Sequence, residues 1–380
     1  MLKKINAWLH LWLGLVSGLI VLVVSITGCI LVFEQEIKQL TSPWLHAPRN
    51  NGEAYLPPSA LYRSVKQALP DKEVHSVWYH GENLSAHLTI DGDSLVYVNP
   101  YTADVLAYVH GEDFFHFIEE GHRELWLPHK LGHAVVSWGT LVFFVLLITG
   151  MVLWWPKRWN KRNLQQAFTV NWKARFKRVN YDLHNVLGFY SLIIAALIAF
   201  TGLMMGFPWF NKAVFSLAGG ELKPRVSAVS DTTLSANTVM MEQVDKAWKK
   251  GITEIGRHNK EAVIVHFPDD ATEAIYVCVD MYMGTWRDVY LDQYSLQELP
   301  GTNPRLQDVD RGTWIRRMNY GLHVGETGGL PTKLLYFLAS LVCASLPVTG
   351  FLVWWGKKKK TAGRKPVQRI RVQTEQFASS

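Results

Sequence analysis

Two histidines stand at matched positions 174 residues apart. His10 and His184 each open a long apolar stretch, with a glycine four residues on (Gly14, Gly188) and a serine seven residues on (Ser17, Ser191). On a helix these three positions share one face. Histidine is a common axial ligand of haem iron. A glycine one turn away removes side-chain bulk where a flat macrocycle would lie, although the same glycine also suits close helix packing. A single histidine at such a place fits the headgroup level of a membrane equally well. Two copies carrying the same stripe point to a paired ligand role.

A second level of histidines lies before the other two apolar stretches. His122 precedes Thr149 by 27 residues and His323 precedes Thr349 by 26. A helix of that length covers about 39 Å, more than the ~30 Å of bilayer hydrocarbon, so both belong at or just beyond the interface. Gly325, Gly328, Gly329 and Pro331 mark a broken approach after His323. His129 and His133 stand nearby at i and i+4, and His133, the deeper one, is the rival of His122 as a ligand. Two levels of histidine, one near each face, would stack two b-type haems across the low-dielectric slab. Other chemistry is scarce. Nine of the fourteen histidines fall between His46 and His133, but their spacing fits no zinc signature. Cys29 and Cys343 lie in apolar stretches and Cys278 is alone outside them, so no disulfide framework is available. There is no phosphate-binding glycine loop and no dinucleotide fingerprint.

The elements that must position these histidines are four runs of mainly uncharged sequence, Trp8–Phe33, Ala134–Trp155, Val186–Phe207 and Leu334–Trp355. Each is long enough to span a bilayer as a helix. Lys3–Lys4 followed by Ile26-Thr27-Gly28-Cys29 resembles a lipoprotein signal, yet the apolar run continues through Phe33 as a span would. Charge is divided sharply. The N-terminal segment carries +2, the loop 156–181 carries +8 and the tail after the fourth span carries +7, leaving −10 for the rest of a chain of net charge +7. Basic segments stay cytoplasmic. Both termini and the 156–181 loop are therefore expected inside, at the inner (cytoplasmic) membrane of a bacterium, with 34–125 and 208–325 on the periplasmic side. The basic charge serves topology and lipid contact, not nucleic acid.

Nine positions from Leu9 to Phe33 recur from Leu183 to Phe207 at the constant offset of 174, and Thr149-Gly150…Trp154-Trp155 recurs as Thr349-Gly350…Trp354-Trp355. The chain therefore reads as a membrane α-helical bundle of four spans in two tandem parallel repeats. Repeat 1 is 1–155 (spans 8–33 and 131–155, outer domain 34–130). The basic loop is 156–181. Repeat 2 is 182–356 (spans 183–207 and 331–355, outer domain 208–330), and 357–380 is a basic tail, expected to be loose from Thr361. The two outer segments are expected to form two mixed α/β domains. Helices are predicted over Pro58–Leu69 and Met240–Lys250. Alternation of apolar and polar residues predicts strands over Glu73–Tyr79, Ser85–Ile90, Ser94–Val98, Val105–Val109, Ala262–Phe267, Ala274–Val279 and Thr285–Leu291.

These spans, their Thr-Gly…Trp-Trp-basic endings and the turn Val96-Tyr97-Val98-Asn99-Pro100-Tyr101-Thr102 resemble the PepSY-associated transmembrane-helix family over about residues 1–357. In that family a Leu-His precedes the second span and another the fourth. Leu322-His323 matches; Gly121-His122 lacks the leading leucine and sits one residue further out. Length and the absence of a fused flavin domain look most like the inner-membrane ferrisiderophore (ferrioxamine) reductases. The resemblance implies bound haem, PepSY-like periplasmic domains, a ferric siderophore as partner and reduction of Fe(III) to Fe(II). No cytoplasmic segment is large enough to hold flavin or nicotinamide, so the electron donor would be a cytoplasmic protein or a diffusible carrier such as quinol. The rival readings are a PepSY-type membrane sensor or regulator without redox activity, and a transporter.

Overall fold

In the computed structural model, four helices are long and apolar enough to cross a membrane: α1 (Leu2–Leu31), α5 (His129–Trp154), α7 (Phe176–Gly206) and α11 (Leu330–Ala362). The structure describes residues 1–362 apart from 50–51, 92–93, 112, 222–226, 235–238, 257–261 and 282–285, with side chains described to Gly356. The expected loose tail from Thr361 lies almost wholly outside the described residues. Helices α1 and α7 begin six and seven residues before the predicted spans. Hydropathy marks the apolar stretch, whereas backbone hydrogen bonding carries the helix on through Lys3, Lys4, Lys177 and Arg178. Only 17–33% of each apolar window is buried inside the protein, and Val16, Leu19, Ile193 and Leu338 lie open on its flanks. A belt of that kind is stable only where lipid covers it, so this is a multi-pass membrane protein.

The spans form a ring. Helices α1 and α7 each pack against both α5 and α11. Proximity of backbones is set by small residues at defined points: a Cβ on Gly139 of α5 would meet Ile20 Cγ2 at 2.7 Å, and one on Gly206 of α7 would meet Ser137 Oγ at 2.6 Å.

The segments between the spans depart from expectation. Strands β1 (Val74–Tyr79), β2 (Ala86–Ile90), β3 (Ser94–Val98), β4 (Val105–His110), β5 (Ile264–His266), β6 (Ile275–Val279) and β7 (Arg287–Leu291) form one antiparallel sheet in the order β4-β3-β2-β1-β5-β6-β7. Two separate α/β domains are thus corrected to one. The seam is β1 on β5, with Val77 opposite Val265 and Trp78 opposite Ile264. Thr285, the predicted start of the last strand, lies outside the described residues. Helices α3 (Pro58–Ala68) and α9 (Met240–Lys250) pack together near β1, β5 and β6. Leu61, Val65, Val77, Leu88 and Val96 from one segment share a core with Val244, Val265, Val277 and Val289 from the other. Asp245 of α9 also receives the Ser59 backbone N–H at 2.8 Å and the Ser59 hydroxyl at 2.6 Å, capping the first turn of α3 across the seam. The physical reason is edge pairing. Either three- or four-stranded piece alone would expose a strand edge and an apolar face, and joining β1 to β5 removes one edge from each.

Two short helices link sheet to bundle. Helix α4 (Phe114–Glu124) precedes α5, and α10 (Arg311–Val324) precedes α11. Each starts on an aspartate N-cap, Asp113 accepting from the His116 N–H and Asp310 from the Thr313 N–H. Lys38 of α2 (Glu34–Thr41) holds Asp113 at 2.7 Å.

Candidate histidine pairs in the bundle

The structure sets the histidines in two pairs. His10 of α1 faces His184 of α7 with ring centroids 6.3 Å apart, and His122 of α4 faces His323 of α10 at 6.2 Å. His133 is not brought to either pair; it lies beside His129, 5.9 Å between centroids, and His129 is tied to Glu124.

Every ring is held the same way, by the Thr-Gly of another helix. His10 Nδ1 is 2.9 Å from Thr149 Oγ1, His184 Nδ1 is 2.9 Å from Thr349 Oγ1, His122 Nδ1 is 3.1 Å from Thr27 Oγ1 and His323 Nδ1 is 2.9 Å from Thr201 Oγ1. A threonine has one hydroxyl proton. Each of the four donates it to a carbonyl of its own helix: Thr149 to Leu146, Thr349 to Ser345 and Leu346, Thr27 to Val23 and Val24, Thr201 to Leu197 and Ile198. Toward the ring the hydroxyl must therefore accept, and Nδ1 carries the hydrogen. His122 and His323 make this explicit, since their Nδ1 also reaches the Val24 and Ile198 carbonyls at 2.9 and 3.1 Å, and a carbonyl only accepts. The hydrogen bond at one ring nitrogen fixes the tautomer and leaves the Nε2 lone pair for a metal.

The glycine of each Thr-Gly makes room for the ring it faces. A Cβ at Gly150 or Gly350 would stand 3.2 Å from Cε1 of His10 or His184. At Gly28 and Gly202 it would stand 3.1 and 3.4 Å from Cε1 of His122 and His323. Gly14 and Gly188 serve otherwise. A Cβ there would touch only Leu146 Cδ2 at 3.8 Å or Leu346 Cδ2 at 3.6 Å. Both line a cavity of about 410 Å³ that also takes in His10, His184, Phe143, Leu192 and Pro347. Of the two readings of these glycines, the open slot fits and the tight helix contact does not.

The pairs suit haem iron. Two metal–imidazole bonds of about 2 Å each, plus the step from nitrogen to ring centre at both ends, sum to about 6 Å, close to both observed separations. The apolar cavity at the His10/His184 pair is in the size range of cofactor sites, roughly 300–1,000 Å³. No group of three or more His, Cys, Asp or Glu that would hold a bare metal ion occurs among the described residues; a haem needs only the two axial nitrogens. Along α1, His10 and the Val24–Thr27 turn that holds His122 are 14–17 residues apart, which places the two levels about 21–26 Å from one another.

Sequence reasoning missed three asparagines. Asn6, Asn180 and Asn319 lie one turn before His10, His184 and His323. Their Nδ2 groups donate to the backbone carbonyls of Thr149, Thr349 and Thr201 at 3.0, 3.0 and 3.1 Å. The signal was present, because Asn6 and Asn180 keep the same offset of 174. It sits just upstream of the apolar run in which the repeat is obvious.

Comparison with known proteins adds one finding. No curated protein gives a significant match to the chain. The family described as the PepSY-associated TM region matches residues 7–357, which takes in all four spans, the sheet and all four paired histidines. The chain belongs to the PepSY-associated transmembrane-region family.

Proposed function

We propose that this protein is a haem-containing reductase of the bacterial inner membrane that passes electrons to a ferric siderophore in the periplasm, reducing Fe(III) to Fe(II). The observation that carries the reading is the pair of facing histidine couples, each ring with Nδ1 held and Nε2 free. Bound haem would supply reversible one-electron chemistry at each level. The protein's own contribution is to fix the four imidazoles through Thr27, Thr149, Thr201 and Thr349. It also lines the His10/His184 level with the apolar side chains of Phe143, Leu147 and Leu192. A rigid, preformed ligand set limits reorganisation when an electron arrives, because no proton needs to move at a ring whose Nδ1–H already has its partner.

Orientation follows from charge. The basic 156–181 loop, the start of α1 and the described end of α11 lie at the His10/His184 end, and that end is assigned to the cytoplasm. The donor, a quinol or a cytoplasmic protein, would deliver electrons there. The sheet then stands in the periplasm over the His122/His323 level, where the substrate would meet its electron. Hard oxygen ligands of a siderophore hold Fe(III) far better than Fe(II), so one electron suffices to loosen the metal. Stopped-flow oxidation of the dithionite-reduced protein tests this. Ferric hydroxamate siderophores should reoxidise it faster than ferric citrate does. Equal rates would indicate a generic electron carrier, and a protein without haem would favour the sensor reading.

A further inference from the structure

The His122/His323 pair is unequal. One turn before His323, Asn319 donates to the Thr201 carbonyl at 3.1 Å. One turn before His122 stands Ile118, which is buried and has no donor. Asn319 is kept at a cost, since its Oδ1 is buried without a partner, and a buried acceptor left unpaired is unfavourable. The helix ends differ as well. Helix α10 closes on Gly325 at φ 74, a left-handed conformation that glycine adopts freely. Helix α4 closes on Leu125 and Trp126 at φ 55 and 56, and such conformations persist in bulky residues only where the surroundings impose them. Here the imposition is visible. The Trp126 indole donates to the Phe117 carbonyl at 2.8 Å and stacks on the Phe117 ring. It lies so tightly on Gly121, the neighbour of His122, that a Cβ there would meet Cζ2 at 2.2 Å. Strain of this kind, stored beside one member of a pair and absent beside the other, biases which member lets go.

We infer that His323, positioned by Asn319, is the fixed ligand of this level and that His122 is the displaceable one, so that a small sixth ligand such as carbon monoxide, cyanide or imidazole can take its place. The inference rests on the haem reading. The exchange breaks one Nε2–iron bond and forms one ligand–iron bond, with no change in oxidation state. Asn319 is a positioning residue, acting through Thr201 on His323.

Full-length protein in detergent or nanodiscs gives the test, read by haem content, spin state and a carbon monoxide titration of the reduced form. His122→Ala should keep about two haems per chain with one converted to a five-coordinate, high-spin form, whereas His323→Ala should fall to about one. In the unaltered protein carbon monoxide should bind one haem of the two. Ile118→Asn, which offers the missing donor, should weaken that binding by roughly tenfold, the lower bound of what an outer-shell partner is worth. Asn319→Leu removes the orphaned oxygen together with the donor; it should leave the thermal midpoint unchanged and strengthen carbon monoxide binding. Equal haem loss in the two histidine variants, or carbon monoxide binding to neither haem or to both alike, overturns the inference. Absence of haem from the unaltered protein would instead overturn the reading on which it rests.

Discussion

The two histidine levels are built from the same parts and placed on different kinds of helix. At the His10/His184 level both histidines project from membrane-spanning helices, both have an asparagine one turn earlier, and an apolar cavity separates the helices that carry them. At the His122/His323 level both histidines ride on short helices outside the spans, joined on one side to the sheet and on the other to a turn. A histidine on a long span is held by everything that packs the span. A histidine on a helix of 11 or 14 residues depends on its caps, its closing turn and one or two hydrogen bonds, so small sequence differences there have large consequences. Thr-Gly is the constant that both levels share, and it supplies the tautomer and the space in all four cases.

That contrast can be broken or sharpened by measurement. The largest effect is expected from His10→Ala and His184→Ala, each of which should reduce haem from about two per chain to about one, to the same extent. Unequal losses would contradict the equivalence of the two clamps at that level. Next in size is Gly14→Leu. A leucine there would fill the slot against Leu146, and haem affinity should fall at least roughly tenfold while the thermal midpoint does not drop. The paired control is Gly206→Leu, where the new side chain meets Ser137 and overpacking should cost about 1–3 kcal/mol without a specific loss of haem. Should Gly14→Leu destabilise the protein as Gly206→Leu is expected to, the glycine is a packing residue after all. Thr349→Val keeps the shape and removes the acceptor for His184 Nδ1–H, and a loss of roughly tenfold to a hundredfold in haem affinity is expected. Unchanged retention would show that the ring is oriented by packing alone.

The smallest effect concerns the sheet. His87 is 7% exposed, sits 2.8 Å from His80 and stacks on Trp78. Burial first, and His80 beside it second, hold it well below the usual histidine range. The unfolded chain takes up this proton near pH 6.5 and the folded one does not. Stability is therefore full above that pH and is lost as the pH falls below it, by at most about 1.4 kcal/mol per pH unit for this group. Chemical denaturation at pH 7 and pH 5 should show the loss in tryptophan fluorescence of the sheet while the optical spectrum of the His10/His184 level stays constant. His87→Gln should flatten the dependence.

Much of this was legible in the sequence, for identifiable reasons. The spans follow from apolar length, and His10, His184 and Thr-Gly follow from a repeat that survives inside apolar sequence. Most of the sheet strands were visible in their alternation, from Val74–Tyr79 to Ile275–Val279. What could not be read was partnership. Alternation assigns a residue to a face but does not choose the strand beside it, so the β1–β5 seam and the single core were hidden. Likewise Thr149 marks a repeat in one dimension, and only folding brings it to His10, 139 residues away. That His122, and not His133, stands opposite His323 needed the break between α4 and α5; within α5 helical spacing sets His133 beside His129.

The central claim is that each couple holds one haem between two imidazoles. Haem quantification on the purified full-length protein, combined with low-temperature electron paramagnetic resonance of the oxidised form, tests it most directly. The account predicts about two b-type haems per chain, both low-spin and bis-histidine, with the signal of one removed by His184→Ala and that of the other by His323→Ala. A colourless protein from haem-replete cells, or a single haem abolished by all four histidine variants alike, would contradict it.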